Sequence, residues 1–237
     1  MATRRLQISI LILVAAFIAL ASDLAATNGT YLTAYSAETL GRGGANLAIS
    51  DRALALNFNP AGIGQLQGNH FTANLSILAP SLKFENMINQ QYDGETRYFP
   101  LPAFAYVRGD KDSPWTWGVG FVAQGGQGAT FENMNTFFGS QDETFTEVRF
   151  MTFIPTVSYS INEDLAIGLA TNLGYADASF RLWPNTSFFN PMNPMMSFPG
   201  VNMDQAGGFQ WNLRGGIWWR PDPKFSIGAI YQTETES

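Results

Sequence analysis

The chain has 237 residues, of which 46% are hydrophobic and 14% are charged, and its formal net charge is −6 at pH 7. An acidic balance without a basic patch argues against nucleic acid as a partner, because phosphates attract clustered lysine and arginine. The sequence contains no cysteine. A lipoprotein anchor, a disulfide framework and a cysteine-based metal site or nucleophile are therefore excluded.

The first residues have the features of a secretory signal peptide. Arg4 and Arg5 precede an apolar run from Leu6 to Ala21, which is short for a membrane-spanning helix. The candidate cleavage positions are Ala19, Ala21 and Ala26. We expect residues 1–26 to form a cleaved export signal, with the mature domain beginning at Thr27.

Residues 27–67 differ in composition from the rest of the mature chain. They are rich in Ala, Gly and Leu and lack a clean period of two, and a stretch from Asp51 to Leu56 is helix-like. This pattern predicts a compact element that precedes the strands.

From Phe71 onward, apolar residues alternate with small or polar residues, which is the pattern of strands with two different faces. We predict seven strands in an all-β domain over residues 68–237. Their spans are Phe71–Ile77, Leu101–Arg108, Trp115–Phe121, Met151–Ile161, Leu165–Tyr175, Phe209–Trp219 and Phe225–Tyr231.

The second face of most predicted strands consists of Gly, Ala, Ser, Thr and Asn, with few charges. A lipocalin-like barrel or a β-sandwich would also alternate, but a soluble protein of either kind turns a charged face to water. Aromatic residues fall near strand ends, as interfacial girdles would require. The girdle candidates are Trp115, Trp117, Tyr159, Tyr175, Trp218 and Trp219. Together these features favour a transmembrane antiparallel β-barrel.

The predicted connections alternate in length, as in outer-membrane barrels with short turns on one side and long loops on the other. The short turns are Gly109–Pro114, Asn162–Asp164 and Pro221–Lys224, and the long loops are Glu85–Pro100, Phe131–Glu147 and Leu182–Gly207. The sequence therefore predicts a barrel of the outer-membrane type.

Two N-terminal motifs, LGRGGA at residues 40–45 and NFNPAG at residues 57–62, resemble the plug of the FadL/OmpP1/TodX family of outer-membrane channels for long-chain fatty acids and aromatic hydrocarbons. The resemblance implies a small hatch over residues 27–67 that fills the barrel. It assigns the hatch motif to Gly41, Arg42, Asn59, Pro60 and Ala61.

The same family closes its barrel with about fourteen strands, whereas seven are predicted here. A closed barrel of seven antiparallel strands would leave unpaired edges in hydrocarbon. We therefore expect the chain to be the N-terminal half of a longer barrel, which acts as a monomer when complete; assembly of two copies is the less favoured alternative.

Gly125, Gly126 and Gly128 follow Trp115–Phe121 and are interpreted as lying inside a strand, where glycine commonly marks a bulge or a bend. In the resembling family an inward kink of this strand opens a lateral gap in the wall. A plain loop at the end of the strand is the alternative interpretation.

The predicted loop after Leu182 is unusually apolar for an external segment. Methionine and phenylalanine make adaptable contacts suited to alkyl chains or aromatic rings, although such residues also pack a loop onto its neighbours. The predicted ligand-capture residues are Phe188, Phe189, Met192, Met195, Met196 and Phe198.

Few residues offer other chemistry. Arg42, Arg97, Arg149 and Arg214 could each bind a fatty-acid carboxylate, but pairing with a carboxylate such as Asp51 is the commoner role. The single histidine, His70, lies at the start of the first predicted strand and is expected to be a rim residue. We predict no catalytic residue, no metal site and no cofactor.

The resulting hypothesis is a passive outer-membrane channel for fatty acids or hydrocarbons, with capture by the outer loops and passage past the hatch. The expected surroundings are outer-membrane lipid and lipopolysaccharide. The alternatives are a general porin, which should carry charged rings in its lumen, and a structural or adhesin barrel; an outer-membrane enzyme is disfavoured by the single histidine.

Overall fold

The computed structural model describes residues 31–236, so the predicted signal peptide and the first residues of the predicted hatch lie outside the described part. The N-terminal segment, residues 31–67, contains helix α1 (Ala37–Gly41) and two 3-10 helices, η1 (Ala53–Asn57) and η2 (Pro60–Gln65). The helix-like stretch at residues 51–56 is thus a 3-10 turn. No helix in residues 31–236 is long and apolar enough to cross a membrane.

All seven predicted strands are present in one antiparallel sheet. Its strand order is β1, β4, β5, β6, β7, β8, β9, so each strand pairs with the strand of this sheet that follows it in the sequence. A separate two-stranded pair, β2 with β3, lies in the connection between the first two sheet strands. The strands are β1 (Gly68–Leu78), β2 (Lys83–Phe84), β3 (Tyr92–Asp93), β4 (Phe99–Gly109), β5 (Trp115–Asn135), β6 (Gln141–Asn162), β7 (Leu165–Leu182), β8 (Val201–Asp222) and β9 (Phe225–Gln232).

All three predicted long loops are wrong in extent. The one placed at Glu85–Pro100 ends before Phe99, where β4 begins, and the connection contains the β2–β3 pair. The connection placed at Phe131–Glu147 is only residues 136–140, because β5 and β6 continue pairing up to Asn135 and Gln141. The connection placed at Leu182–Gly207 is residues 183–200, with one short 3-10 turn, η3 (Pro194–Met196). The alternation of apolar residues is lost in residues 131–147, where Glu, Asn and Thr are frequent, although the backbone pairing of β5 with β6 continues.

The two faces of the sheet differ as the alternation predicts. Phe153 and Leu169 are among the exposed apolar residues of the outer face, whereas Ala103 and Ala170 are buried on the inner face. One girdle candidate is wrong: Trp218 is 4% exposed on the inner face, where its Nε1 donates to the backbone oxygen of Ala48 at 2.9 Å. A polar partner inside the fold explains why this indole turns away from the outer surface.

The core lies between the inner face of the sheet and the N-terminal segment. Leu56 and Ile63, from η1 and η2, are fully buried there with Val107, Val122 and Ile154 from the strands. A flat sheet of seven strands would be about 29 Å wide. Because the short segment contacts strands from β1 to β9, the sheet curves around it.

Candidate functional site

Asn59, Pro60 and Ala61 attach the N-terminal segment to the inner face of the sheet. The Asn59 Nδ2 donates to the backbone oxygens of Leu47 at 2.8 Å and Ile217 at 3.0 Å. Its Oδ1 accepts from the N–H of Ala61 at 3.0 Å and caps η2, whose first residue is Pro60. This motif is therefore an anchor that joins the segment to β8.

The anchor fits against two glycines that are cross-strand partners, Gly168 on β7 and Gly216 on β8. A Cβ atom on Gly168 would lie 2.4 Å from the backbone of Pro60 and Ala61, and one on Gly216 would lie 2.1 Å from the Asn59 Oδ1. Only glycine leaves room for this approach. Some of the space that small inner residues provide is thus filled by the N-terminal segment.

Strand β5 contains a bulge at Gln124. Ala123 pairs with Met151, and Gly125 pairs with Phe150, so Gln124 is an extra residue with no partner position on β6. Gly125 has a φ of +148°, a conformation that L side chains rarely adopt. The glycine-rich stretch thus lies inside a strand and not in a loop at its end.

The N-terminal segment binds the bulge through Gln124. The N–H of Leu32 donates to the backbone oxygen of Gln124 at 2.8 Å, and the hydroxyl of Tyr35 donates to its Oε1 at 2.5 Å. The Gln124 Nε2 donates to the Asn57 Oδ1 at 2.9 Å. Burial raises the pKa of Tyr35 to about 12, so its hydroxyl stays protonated and remains a donor at neutral pH.

Beside the bulge, β4 and β5 separate. Their pairing ends at Ala103 with Val122, although β4 continues to Phe99 in its pairing with β1. Pro100 and Pro102 lie in this part of β4 and have no N–H to donate to a neighbouring strand. The wall of the sheet is therefore interrupted between two paired strands.

We call this interruption the wall window. It holds a cavity of about 510 Å³ with a mainly apolar lining. The apolar side chains include Leu75, Leu78, Pro100, Pro102 and Met151, and the charged ones are Arg97, Glu147 and Arg149. The cavity thus combines a mainly apolar lining with three charged side chains.

A second cavity, the inner cavity, has a volume of about 260 Å³ and lies on the inner face between the N-terminal segment and the sheet. Its walls combine apolar residues such as Leu47 and Phe58 with the amides of Asn172 and Asn212. Leu32 lines both this cavity and the wall window. Leu32 is thus a residue of the N-terminal segment that both cavities share.

The predicted capture loop divides into a packed base and an exposed tip. Phe188 and Phe198 pair through their backbones and stack on Phe138, with ring centroids 5.2 and 5.8 Å away. Met192 and Met195, in contrast, are 95% and 96% exposed. Phe189 and Met196 are exposed with them. The base is thus packed on Phe138, and the tip is exposed.

Three of the four candidate arginines pair with carboxylates. The pairs are Arg42 with Asp51 at 2.7 Å, Arg97 with Glu147 at 2.9 Å and Arg149 with Asp177 at 2.6 Å. Arg214 instead lines the inner cavity. His70 lies near the start of β1, where its Nε2 is 2.8 Å from the backbone oxygen of Gln67, in keeping with a rim position.

The sequence profile of the family described as outer membrane protein transport protein (OMPP1/FadL/TodX) matches residues 18–237. The chain belongs to this family. No curated protein matches it in sequence. The predicted FadL/TodX resemblance is thereby confirmed, and with it the assignment to an outer-membrane family.

Solved structures of FadL/TodX channels share the fold. The Ralstonia pickettii toluene transporter TbuX superposes with a TM-score of 0.64 at 16% identity, covering 86% of this chain and 58% of that one. The Pseudomonas putida toluene transporter TodX gives 0.61 at 15% identity, covering 88% and 57%. A Pseudomonas aeruginosa FadL homologue gives 0.59 at 14%, covering 86% and 52%. The chain thus spans about half the length of these FadL/TodX structures.

Sequence reasoning placed the main FadL/TodX-type features but missed the residues that join them. Gln124 and Tyr35 were not singled out, since a buried Gln and Tyr have no distinctive spacing. Pro100 and Pro102 did carry a signal, because two prolines at alternate positions of a strand mark an interrupted ladder. Gly41 belongs to the predicted hatch motif, but a Cβ atom added to it would meet no neighbouring atom within 4 Å.

Proposed function

We propose that this protein carries hydrophobic compounds passively across the outer membrane, by capture on an outer loop, passage past the N-terminal segment and lateral exit through the wall. The observation that carries this proposal is the apolar wall window, which shares the lining residue Leu32 with the inner cavity. A lateral exit releases an apolar compound into lipid, where it is more stable than in water.

Capture is supported by the exposed tip of the loop at residues 183–200. Soluble surfaces seldom expose several large apolar side chains together, and such patches mark binding sites. Methionine suits this role because its flexible, polarizable side chain adapts to alkyl and aromatic ligands. We propose Phe189, Met192, Met195 and Met196 as the first contact, with Phe188 and Phe198 supporting them.

Gating is supported by the position of Leu32. The bond from its N–H to Gln124 fixes the residue beside the bulge, and the residue lines both cavities. Movement of residues 31–35 would join the cavities without disturbing the Asn59 anchor. We therefore propose that these residues are the gate and that the Asn59–Ala61 motif is the fixed end of the hatch.

Growth on an apolar carbon source tests the function. We expect the gene to restore growth on oleate or toluene in a strain that lacks its own uptake channel. Growth that remains absent, although heat-modifiable gel migration shows a folded barrel, would contradict the proposal. Ion conductance with no apolar uptake would instead favour a general porin.

The exposed loop tip provides a second test. We expect the double change Met192→Ser and Met195→Ser to lower the rate of uptake several-fold at low substrate concentration, because the capture surface loses its apolar contacts. Saturating substrate should restore the rate. Met87→Ser is the matched control, since Met87 is also 92% exposed but lies in the connection between β1 and β4. Equal rates in the two variants would contradict a capture role for the tip.

A further inference from the structure

The loop at residues 183–200 begins with a strained turn. Trp183 has a φ of +46°, in the left-handed region that a bulky side chain rarely adopts. Pro184 follows it, and a residue before proline normally takes an extended conformation with negative φ. Backbone strain of this kind persists only where the surrounding contacts enforce it. The turn at residues 183–186 is therefore held by its contacts and not by its own sequence.

A buried carboxylate at the start of β6 makes these contacts. Asp142 is 6% exposed, and its Oδ2 accepts from the N–H of Asn185 at 2.9 Å and from the Thr186 hydroxyl at 2.8 Å. Its Oδ1 accepts from the Asn185 Nδ2 at 3.1 Å and from the N–H of Glu143 at 2.8 Å. A carboxylate has about four acceptor positions, so these bonds occupy it fully. None of the ion pairs found within residues 31–236 includes Asp142, so its charge is offset by hydrogen bonds, mostly from the turn.

The same carboxylate ties the loop to the short connection between β5 and β6, residues 136–140. A carboxylate only accepts hydrogen bonds, so the Thr186 hydroxyl donates its hydrogen to Asp142. The Thr186 oxygen then accepts from the Ser140 hydroxyl at 3.1 Å, and the Ser140 oxygen accepts from the Thr136 hydroxyl at 2.8 Å. The chain of hydroxyl groups therefore runs in one direction and ends on Asp142.

The far end of the loop closes on the same turn. A Cβ atom on Gly200 would lie 2.9 Å from the backbone oxygen of Trp183 and 3.0 Å from that of Thr186. Between the two ends of the loop, Phe188 and Phe198 pair through their backbones. The direction in which the exposed tip leaves the sheet thus depends on the turn that Asp142 holds.

We infer that Asp142 is the positioning residue of this loop: it holds the strained turn and thereby keeps Met192 and Met195 in one arrangement for capture. This inference rests on the proposed capture role of the tip and adds the residue that organises it. A binding surface that is already ordered loses less conformational freedom when a ligand binds. Asp142 therefore strengthens capture and leaves the later steps of passage unchanged.

The substitution Asp142→Asn keeps the size of the side chain and replaces one acceptor oxygen with an NH₂ group, so that two of the donors face another donor. We expect the concentration of radiolabelled oleate or toluene at half-maximal uptake to rise roughly fivefold or more, because the loop must then be ordered on binding. The maximal rate should change less than twofold, whereas a loss of folded protein would lower it. Asp204→Asn is the matched control, since Asp204 is an exposed aspartate beyond the other end of the loop, 3.7 Å from Arg181.

Spin labels test the arrangement of the tip without transport. The chain contains no cysteine, so Met195→Cys and Met87→Cys introduce two thiols to which the labels attach specifically. We expect a narrow distribution of distances between the labels in the otherwise native protein and a broad one with Asp142→Asn. Equal widths would overturn the inference, and so would equal half-maximal concentrations in the Asp142→Asn and Asp204→Asn proteins.

If Asp142→Asn does not fold, Thr186→Val decides, because it removes one donor and keeps the carboxylate. This variant is expected to raise the half-maximal concentration as well, and an unchanged value would overturn the inference. A native protein that takes up neither oleate nor toluene would contradict the transport proposal itself. The distances between the labels would still test Asp142, which separates the two failures.

Discussion

Replacing Gly168 with alanine is expected to displace the N-terminal segment and make the protein leak small solutes. The added Cβ would lie 2.4 Å from the backbone of Pro60 and Ala61, which cannot rotate away as a side chain can. Overpacking of this kind costs about 1–3 kcal/mol. That cost corresponds to a roughly 5- to 150-fold rise in the displaced population. Single-channel conductance and protease access to residues 31–66 measure the effect.

Gly215→Ala is the matched control for this prediction. Gly215 lies on β8 opposite Leu169, the neighbour of Gly168, and no atom lies within 4 Å of the position its Cβ would take. We expect normal conductance and normal protease resistance from this variant. If Gly168→Ala behaves in the same way, the Asn59–Ala61 motif is not the anchor of the hatch.

Closing the wall window is expected to lower uptake at least tenfold while leaving ligand binding in place. Deletion of Gln124 removes the extra residue and brings Ala123 and Gly125 into a regular ladder with Met151 and Phe150. The same variant carries Pro100→Val and Pro102→Val, which restore the missing N–H donors to β4. Uptake of a labelled substrate and its binding to purified protein are both measured.

Gln124→Ala separates the window from the contacts that Gln124 makes. This variant keeps the number of residues in β5, and so keeps the bulge, but loses the side-chain bonds to Tyr35 and Asn57. We expect it to retain uptake, and to show faster uptake if those bonds hold the gate closed. Full uptake by the straightened variant would show that substrates do not leave through the wall.

The strands were predictable because lipid imposes the alternation of side chains on them. Leu165–Tyr175 alternates throughout and Phe209–Trp219 alternates apart from Trp218, and both lie inside single strands of the sheet. The end of β5 after Phe121 and the start of β6 before Met151 were not predictable. Their side chains no longer alternate between apolar and polar, and only the backbone pairing continues. Trp218 was misplaced for a related reason: an indole fits an interface or a polar partner, and the sequence does not distinguish them.

Individual motifs of the candidate site were predictable from the sequence, but the contacts between distant residues were not. A bulge near Gly125 followed from the glycine-rich stretch, and the Asn59–Ala61 motif followed from the family resemblance. The sequence did not show which arginine faces a cavity, because it does not show that Arg149 lies opposite an acidic residue, Asp177, whereas Arg214 lies opposite Ala170 and Gln232. The partner of each arginine depends on how distant strands pair, and a single sequence does not show that pairing.

The anchor at Asn59 also has a consequence for the order of assembly. Asn59 is bonded to Ile217, which follows it by 158 residues, and Pro60 fits against Gly168 and Gly216. None of these contacts exists until β7 and β8 have formed and paired. Asn59 and Pro60 must therefore wait for strands made much later than they are, so their attachment to the sheet is a late step of folding.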